Sequence, residues 1–460
     1  CGTRGRWFES TLLYQKMTID KKNKPSKALP LGFVDRQEKE LLIRDVIISN
    51  IKEVMIKYGF RYLETPSFEY TDSIGKFLPD KDRPDEGVFS FKDENKWLSL
   101  RYDLTAPLAR YVAKNYLEIP KPFKRFQLGT VWRNEKPGPG RFREFLQFDA
   151  DFVGTKSLQS DAELCILISE ILEKCGLSKK EYIIKISSRK ITEELFKKIK
   201  IDNNEQKLIT LRALDKIDRF GWDGVKQLLG EGRKDKSGDF TKGANLSLKN
   251  IDIIEKELKK KSPETEDLKE ILKIFKDYNF NNFEFDPSII RGLEYYTGPI
   301  FEVNLKFDVK NDKGKTIQFG SIGGGGRYDN LVSNFGNYEA PATGISIGLD
   351  RLVYALMQKK EFEIKQLKPV VICVFNKNSM KDYIRLLKIL RDANISTEIY
   401  PGDIKLKKQM EYANKINAPA VILYGENEIK TGKPTLRNLS TGKEQSISIK
   451  EIVNEIKKII

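Results

Sequence analysis

The chain has 460 residues, of which 39% are hydrophobic and 32% charged, a composition typical of a folded protein with two or three domains and not of a disordered one. Its 82 Lys and Arg against 66 Asp and Glu give a net charge of +16, which indicates either a polyanionic partner such as nucleic acid or a general enrichment in lysine. It contains no histidine, which excludes histidine-based catalysis and imidazole metal ligands, and its four cysteines lack the spacing of a thiolate zinc site.

The N-terminal segment, residues 1–31, is basic, and we expect it to be a tail outside the fold. It begins with Cys1, whereas Met17 opens a more usual Met-Thr-Ile start. A transit peptide and a wrongly placed start also fit this composition. No apolar run in the chain reaches the roughly 18 residues that a membrane helix needs, so we expect a soluble, cytoplasmic protein with no membrane partner.

A long helix followed by a strand is predicted to open the first domain. Apolar residues recur every three or four positions from Asp35 to Gly59, with Asp35 and Glu38 as a capping pair and Gly59 as the C-terminal stop. A strand-like run, residues 60–63, follows and ends near Pro66. The apolar arc of the helix is broad enough to need covering on more than one side, by a neighbouring helix or by the second copy in a homodimer, and we expect the homodimer.

A hairpin and a second helix are predicted next. Two strands, residues 123–133 and 142–153, flank the loop NEKPGPGR, whose prolines and glycines disfavour regular structure. A helix over residues 160–175 follows, opened by Ser160 and Glu163 as a capping box and stopped by the glycine after it.

The remainder of the chain changes character twice. Residues 177–285 are rich in Lys and Glu with helical periodicity, which predicts a helical insertion. Strand-rich sequence resumes at residue 283 and continues through four consecutive glycines to residue 347. After a linker, β-like and helical runs alternate over residues 368–460, which predicts a small α/β domain with a mostly parallel sheet. That domain carries 17 Lys and Arg against 10 Asp and Glu, a net charge of +7.

The second strand of the hairpin has one polar face. In the string QFDADFVG, alternation places Gln147, Asp149 and Asp151 on the side opposite the phenylalanines. Such a face either contacts solvent or lines a polar pocket, and solvent is the commoner case for an antiparallel sheet.

The loop of the hairpin is flanked by basic residues. Arg133, Arg141 and Arg143 lie at its two ends together with Glu135. This pattern suits a ligand that carries a triphosphate, because one guanidinium group can donate two parallel hydrogen bonds to a phosphate group. A cluster of surface ion pairs is the alternative interpretation.

Three separated strings, in the expected order, resemble the motifs of class II aminoacyl-tRNA synthetases. RNEKPGPGRFREF is similar to motif 2, TGISIGLDRL (residues 343–352) to motif 3, and the opening helix and strand to motif 1. RGLEYYTGPIFEV (residues 291–303) and GGGGRYDNLV (residues 323–332) resemble strings of the histidyl-tRNA synthetase family alone. The resemblance implies an α/β fold with a class II antiparallel sheet flanked by helices over residues 32–365 and an anticodon-binding domain over residues 368–460.

The resemblance also implies roles for the matching residues. Arg133 would hold the α-phosphate of ATP, Glu135 the adenine end, and Arg141 and Arg351 the β- and γ-phosphates. Arg291 would neutralise the α-phosphate and the substrate carboxylate, so that it and Arg133 are the catalytic residues. The α-ammonium of histidine would be bound by Asp103, Thr105 and Gln147, and its imidazole by Asp151, Tyr296 and Tyr328.

The implied reaction is the ligation of L-histidine to tRNA(His) through a histidyl-adenylate, with ATP as substrate and Mg²⁺ bridging its phosphates. Two anions must meet, so positioning and charge neutralisation lower the barrier and no histidine is needed. A non-catalytic regulatory subunit of histidine biosynthesis is the alternative, but it would lack the C-terminal domain and the arginines. A tRNA-sensing module attached to a kinase would require kinase motifs that the chain does not contain.

Overall fold

The fold is described from a computed structural model, which covers residues 26–75, 87–138, 140–234, 238–290, 296–311, 313–317, 319–359, 368–402 and 404–460. The chain forms two compact units, which divide between Phe362 and Glu363. Most of the predicted N-terminal tail and most of the predicted linker lie outside the described residues. None of the helices within these ranges is long and apolar enough to cross a membrane.

The first unit combines fifteen described strands with ten described helices. The strands are β1 (Arg61–Tyr62), β2 (Phe68–Tyr70), β3 (Ser90–Asp93), β4 (Lys96–Leu100), β5 (Phe123–Trp132), β6 (Glu144–Val153), β7 (Tyr182–Ser188), β8 (Gly232–Lys234), β9 (Phe240–Lys242), β10 (Phe283–Phe285), β11 (Pro299–Leu305), β12 (Val309–Lys310), β13 (Thr316–Ile317), β14 (Ser321–Arg327) and β15 (Ala342–Gly348). The helices are α1 (Glu38–Lys57), α2 (Thr71–Gly75), α3 (Thr105–Lys114), α4 (Leu158–Lys174), α5 (Arg189–Lys198), α6 (Asn204–Leu214), α7 (Ile217–Leu229), α8 (Leu248–Leu258), α9 (Glu266–Asp277) and α10 (Leu349–Leu356).

An eight-stranded sheet forms the centre of the first unit. Its strand order is β1-β5-β6-β15-β14-β11-β7-β10. The six inner strands pair antiparallel, whereas the short strands β1 and β10 pair parallel with β5 and β7 at the two edges. This arrangement confirms the predicted fold class, an antiparallel sheet flanked by helices. The predicted hairpin of β5 and β6 forms two of the inner strands.

Helix α1 ends as predicted at a glycine. Gly59 has a φ of +74°, a conformation that a residue without Cβ adopts at no steric cost. Its N–H donates to the carbonyl oxygen of Ile56 at 3.0 Å, and the N–H of Phe60 donates to that of Met55 at 3.0 Å. These two bonds form a Schellman motif, which satisfies carbonyls that the helix end leaves free. The chain then turns directly into β1.

Both predicted capping pairs are wrong. The N-cap of α1 is Gln37 and not Asp35, and its side chain makes no capping hydrogen bond. The N-cap of α4 is Ser157, whose Oγ accepts from the N–H of Gln159 at 3.3 Å, while Ser160 lies inside the first turn. Apolar periodicity locates the body of a helix, but it does not fix the position of the first residue to better than two or three residues.

The predicted helical insertion, about residues 177–285, starts too early, whereas strand-rich sequence resumes at residue 283, as predicted, with β10. Strand β7 lies inside that interval and pairs with β11 and β10 in the central sheet. All of β7 is buried except the partly exposed Lys185, which donates to Asp286 at 2.7 Å. Helices α5 to α9 and the two-stranded sheet β8–β9 lie between β7 and β10. Helices α5 to α8 enclose an apolar core of their own, which includes Leu195, Leu214 and Ile254.

The broad apolar arc of α1 is largely covered within the chain. Helix α1 packs against α4 and α10, and its residues Ile43, Ile47 and Ile51 are fully buried. Val46 and Ile56 remain exposed on the other side. Neighbouring helices therefore account for most of the arc, and the arc by itself does not require a second copy.

A small three-stranded sheet of the first unit has an exposed aromatic face. Its order is β2-β4-β3, and its inward face carries the buried Glu69 and Ser99. The opposite face presents Phe68, Tyr70 and Phe91, which are 50%, 51% and 43% exposed. The sequence analysis did not predict this sheet.

The second unit is the predicted small α/β domain. Its strands are β16 (Val370–Cys373), β17 (Thr397–Ile399), β18 (Ala420–Leu423), β19 (Thr435–Asn438) and β20 (Glu444–Ser446), and its helices are α11 (Met380–Asp392), α12 (Leu406–Lys415), α13 (Glu426–Thr431) and α14 (Ile452–Lys457). The sheet order is β17-β16-β18-β19-β20, with the first three strands parallel and the last two antiparallel. Alternate residues of β16 enter separate cores on the two faces of the sheet, which explains its uninterrupted apolar sequence.

Candidate active site

A cavity of about 610 Å³ lies over strands β6, β14 and β15 in the first unit. Its lining contains eight of the residues that the sequence analysis assigns to ATP or histidine: Asp103, Thr105, Arg133, Glu135, Arg141, Gln147, Tyr296 and Arg351. Asp151 and Tyr328 are buried and are not among the lining residues, and Arg291 lies outside the described residues. The fold therefore brings together groups that are more than two hundred residues apart in the sequence.

The polar face of β6 is buried and not solvated. Gln147, Asp149 and Asp151 are 5%, 1% and 2% exposed. Of the two interpretations of this strand, a polar pocket therefore holds and a solvent-facing surface is wrong. The reason is that side chains from other elements cover this face: Arg133 contacts Gln147, Thr105 contacts Asp149, and Tyr328 contacts Asp151.

Arg133, at the end of β5, is fixed between two rings. Its guanidinium lies 4.5 Å from the ring centre of Tyr102 and 5.2 Å from that of Phe145. Its Nε donates to the carbonyl oxygen of Tyr102 at 3.2 Å, and its Nη2 donates to Oε1 of Gln147 at 3.3 Å. Stacking on aromatic rings fixes the plane of a guanidinium, which prepares it to bind an anion.

Tyr102 connects Arg133 with Glu135. The Tyr102 hydroxyl donates to Oε1 of Glu135 at 2.6 Å, while its ring supports the Arg133 guanidinium. Burial raises the pKa of Tyr102, so the hydroxyl remains a donor. The sequence analysis missed Tyr102, although it directly precedes the predicted residue Asp103.

Two further arginines face the cavity from different elements. Arg141 is exposed in the loop between β5 and β6. Arg351 belongs to the first turn of α10, where its guanidinium lies 4.5 Å from the ring centre of Phe319 and donates to the carbonyl oxygen of the same residue. The neighbouring Asp350 is buried and binds Arg36 at 2.6 Å, which fixes the start of α10.

Helix α6 of the insertion contributes a wall of the cavity. Leu208, Arg212 and Asp215 line it together with the residues from the central sheet. The sequence analysis gave the insertion no part in the site. Nothing in the Lys- and Glu-rich pattern distinguishes these positions from an ordinary solvated helix face.

Asp103 precedes Leu104, the N-cap of helix α3, and its carboxylate caps the first turn of that helix. Its Oδ1 accepts from the N–H groups of Thr105 at 3.1 Å and Ala106 at 2.9 Å. The Thr105 hydroxyl donates to Oδ2 of Asp149 at 3.4 Å. The cap fixes the place of Thr105, because it orders the first turn of the helix.

A buried group of charged residues adjoins the cavity. Arg125 is fully buried, and its Nη2 lies 3.0 Å from Oδ2 of Asp151 and donates to the carbonyl oxygen of Leu104 at 3.0 Å. The Tyr328 hydroxyl donates to Oδ1 of Asp151. Burial raises the pKa of Asp151 and Arg125 lowers it, while burial raises the pKa of Asp149 and the charge of Asp151 adds to that effect.

The consecutive glycines of β14 are required by close approach to neighbouring strands. A Cβ on Gly325 would lie 2.0 Å from the carbonyl oxygen of Gly344, and a Cβ on Gly323 would lie 2.6 Å from that of Ser346. A Cβ on Gly344 would in turn lie 2.0 Å from Oδ1 of Asp151. The glycines let β14 pack closely against β15 and β15 against β6, so that the cavity floor is made of backbone.

The described part of the chain offers no metal site made of protein groups alone. Within it, no three or more Cys, Asp or Glu side chains come close enough together to hold a metal ion. The three cysteines that the structure describes are buried and free.

The chain is similar to histidyl-tRNA synthetases in its sequence and its fold. A family model of histidyl-tRNA synthetase matches residues 32–352, and a family model of an anticodon binding domain matches residues 369–459. The histidine–tRNA ligase of Bartonella quintana is 45% identical over 94% of this chain and 92% of its own length.

Two solved structures share the fold. The histidyl-tRNA synthetase of Nostoc sp. PCC 7120 superimposes with a TM-score of 0.71 at 25% identity, over 95% of this chain and 100% of that one. A Bacillus halodurans protein, described as an ATP phosphoribosyltransferase regulatory subunit/histidyl-tRNA synthetase, has a TM-score of 0.62 at 23% identity, over 85% of this chain and 97% of its own. At that identity the second likeness shows the fold alone.

Proposed function

The chain belongs to the histidyl-tRNA synthetase family, and we propose that the cavity over β6, β14 and β15 is the site where ATP and L-histidine react. The chain charges tRNA(His) with histidine for protein synthesis, as a class II ligase with ATP as substrate. The observation that supports the site assignment is that eight residues assigned by the family resemblance, from separate parts of the sequence, line one cavity.

The ATP half of the site is proposed to lie along the arginines. Arg133, held between its two rings, takes the α-phosphate, and Arg141 and Arg351 take the β- and γ-phosphates. Glu135, oriented by Tyr102, takes the adenine end. Four arginines line the cavity if Arg212 is included, which suits a polyanion better than a neutral ligand.

The histidine half is proposed to adjoin the α-phosphate position, because Gln147 accepts from Arg133 at 3.3 Å. Asp103, Thr105 and Gln147 supply oxygens for the α-ammonium, and Tyr296 contacts the imidazole from the lining. Asp151 and Tyr328 are proposed to complete imidazole recognition from their buried position beside the lining. Buried polar groups left unpaired by an apolar rival give strong discrimination, so no editing site is needed. Arg291 is assigned by the family resemblance alone.

The proposed chemistry needs charge neutralisation and no general base. The histidine carboxylate attacks the α-phosphorus of ATP and pyrophosphate leaves, so an anion must approach an anion. Arginines fixed in advance lower that barrier without rearranging during the reaction. In the described residues, guanidinium groups supply the positive charge, and carboxylate, amide and hydroxyl groups supply the positioning.

We propose that Mg²⁺ enters the site with ATP. Mg²⁺ is usually bound through substrate phosphates, water and one or two carboxylates, which fits a cavity without a metal cage of its own. The carboxylates of the lining are Asp103, Glu135 and Asp215, and one or two of them would complete the coordination of the ion. When bound, the ion would neutralise part of the phosphate charge.

The assembly and compartment are also proposed. We propose a homodimer that works in the cytoplasm. The support for the homodimer is the exposed aromatic face of the β2-β4-β3 sheet, because aromatic side chains are enriched in the buried core of protein interfaces. Phe68 and Phe91 pack edge to face at 5.4 Å on this face, so the patch is already ordered within one subunit.

The assignment of the amino acid is tested by pyrophosphate exchange with each of the twenty amino acids. Histidine alone is expected to support exchange of labelled pyrophosphate into ATP, and only tRNA(His) is expected to accept it. Exchange that depends on a different amino acid, or on none, would contradict the proposal.

A further inference from the structure

Asp149 touches two lining residues of the cavity without lining it. It lies in the middle of β6 and is 1% exposed. Its Oδ1 accepts from Nε2 of Gln147 at 2.8 Å, and its Oδ2 accepts from the hydroxyl of Thr105 at 3.4 Å. One carboxylate therefore holds both of the neutral residues that we assign to the α-ammonium of histidine.

The bond from Asp149 decides which end of the Gln147 amide faces the cavity. Above its pKa of about 7 the carboxyl of Asp149 is ionised and only accepts hydrogen bonds, so it binds the Nε2 end of the amide. The Oε1 end is left to accept from Arg133, at 3.3 Å. An amide turned end for end would present N–H donors to Arg133 and to a bound ammonium, and both contacts would be repulsive.

The second hydrogen bond of Asp149, which its Oδ2 accepts from the Thr105 hydroxyl, turns the oxygen of Thr105 toward the cavity. A hydroxyl that donates to a carboxylate has its lone pairs free on the other side. Thr105 lines the cavity, so those lone pairs are available to an N–H donor of a ligand. Asp149 thus converts two groups that can either donate or accept into two acceptors.

Charged and polar groups from three strands of the sheet surround the carboxyl of Asp149. Burial and then the charge of Asp151 raise the pKa of Asp149 to about 7, against the opposing effects of Arg125 on β5, Gln147 on β6 and a hydrogen bond with Ser346 on β15.

We propose that Asp149 is a positioning residue for the amino acid: it orients Gln147 and Thr105 so that an oxygen of each faces the α-ammonium of histidine. The inference rests on the proposed function of the cavity. It differs from a purely structural role, because a structural role would affect ATP and histidine alike.

Asp149→Asn tests this, because it removes the charge and keeps the shape. In pyrophosphate exchange, the KM for histidine is expected to rise about tenfold, the effect of losing a hydrogen bond to a charged group. The KM for ATP is expected to stay within about twofold of the wild-type value. Should this variant not fold, Asp149→Ser is measured in the same assay with the same expectation.

A double-mutant cycle asks whether Asp149 acts through Gln147. Gln147→Ala alone is expected to raise the KM for histidine. Adding Asp149→Asn to it is expected to raise the KM by a smaller factor than Asp149→Asn does alone, because only the Thr105 contact is then left to lose. Effects that multiply fully would mean that Asp149 acts independently of Gln147, and would overturn the proposal.

Asp267→Asn is the matched control. Asp267 is also buried, at 3% exposed, and accepts from a hydroxyl, that of Ser188, at 2.7 Å. This variant is expected to lower thermal stability and leave both KM values unchanged. A wild-type histidine KM in Asp149→Asn, beside a raised one in Gln147→Ala, would overturn the inference and leave the proposed function standing. Absence of histidine-dependent exchange in the wild type would instead overturn the proposed function.

Discussion

At the residue scale, the hydroxyl of Tyr102 orients Glu135 while its ring supports Arg133. Tyr102→Phe keeps the ring and removes only the hydroxyl. A hydrogen bond to a charged group contributes about 1.5–3 kcal/mol, so we expect the KM for ATP to rise about tenfold or more in pyrophosphate exchange, with the KM for histidine nearly unchanged.

Tyr182→Phe provides the matched control. Tyr182 also donates to a glutamate, Glu173, at 3.0 Å, but it lies on β7 and does not line the cavity. Its variant is expected to be less stable and to keep both KM values. Equal effects of the two variants on the KM for ATP would show that Tyr102 matters only for stability.

The buried carboxyl of Asp149 predicts a pH dependence of stability. Burial, and then the charge of Asp151, raises its pKa to about 7, whereas an unfolded Asp titrates near pH 4, at about 3.9. Between these values the folded chain keeps a proton that the unfolded chain has lost. The contribution of this group to the free energy of unfolding therefore falls as pH rises through that window.

Urea unfolding of the wild type and Asp149→Asn checks this from about pH 4 to about pH 7. The free energy of unfolding of the wild type, relative to the variant, is expected to fall with rising pH. The neighbours Arg125 and Asp151 are present in both proteins, so their own titration is largely common to the two curves. Parallel curves would contradict the assigned pKa.

Single residues of the site were predictable from the sequence only where a motif carried them. Eight residues to which the resemblance assigns roles line one cavity, and those roles stay predictions. Tyr102, Arg125 and Asp149 were not assigned, because each acts through contacts between segments that are distant in the sequence. Alternation had placed Asp149 on the right face of its strand, but it could not show that the face is buried.

At the element scale, the glycine run of β14 is the feature most sensitive to substitution. Because a Cβ on Gly325 would lie 2.0 Å from a carbonyl oxygen of β15, Gly325→Ala must push the two strands apart. Overpacking of this kind costs about 1–3 kcal/mol or more. We expect a lower midpoint of thermal unfolding and a large loss of pyrophosphate exchange.

Gly402→Ala is the control for that variant. The nearest atom to its added Cβ is Cε1 of Tyr400 at 3.4 Å, an ordinary contact. Stability and exchange activity are both expected to stay near wild-type values. A Gly325→Ala protein as stable and active as this control would mean that β14 and β15 can separate without cost.

Elements were predictable where local signals agree with the tertiary context. The β5–β6 hairpin, the glycine stop of α1 and the alternating second unit all have such signals. Strand β7 has no such signal, because it follows a helix stop and precedes a long helical region, so the sequence pattern predicts it as part of the insertion. The β19–β20 hairpin has no such signal either, since its short strands are mostly polar and only one of their residues is buried.

At the scale of the whole molecule, the aromatic face of the β2-β4-β3 sheet is where we expect the second copy to bind. Wild-type protein is expected to sediment at about twice the chain mass of 53.1 kDa. Phe91→Lys puts a charge into the patch, and a buried unpaired charge is strongly unfavourable. The variant is therefore expected to sediment as a monomer at the same concentration.

Phe240→Lys is the control, because Phe240 is also an exposed phenylalanine, at 58%, but lies on β9 of the insertion. This protein is expected to sediment like the wild type. A Phe91→Lys protein that remains dimeric, with a normal midpoint of unfolding, would place the interface elsewhere.

The division into two units predicts separable activities. Removing residues 368–460 deletes the unit that matches the anticodon binding domain and its net charge of +7. Basic residues bind nucleic-acid phosphates, so the truncated chain is expected to lose most tRNA charging while histidine-dependent pyrophosphate exchange persists. Filter binding of tRNA(His) to both proteins measures the difference, and unchanged affinity would contradict the assignment.

The cavity carries its chemistry on guanidinium, carboxylate, amide and hydroxyl groups, and the chain around it contains no imidazole at all. This has a consequence for supply. Ribosomes that assemble these 460 residues draw on no histidyl-tRNA, the product that the chain itself makes. When histidine runs short, translation stalls at histidine codons, and the message for these residues has none. The synthesis of these residues is therefore independent of the supply of histidyl-tRNA, the product that they make.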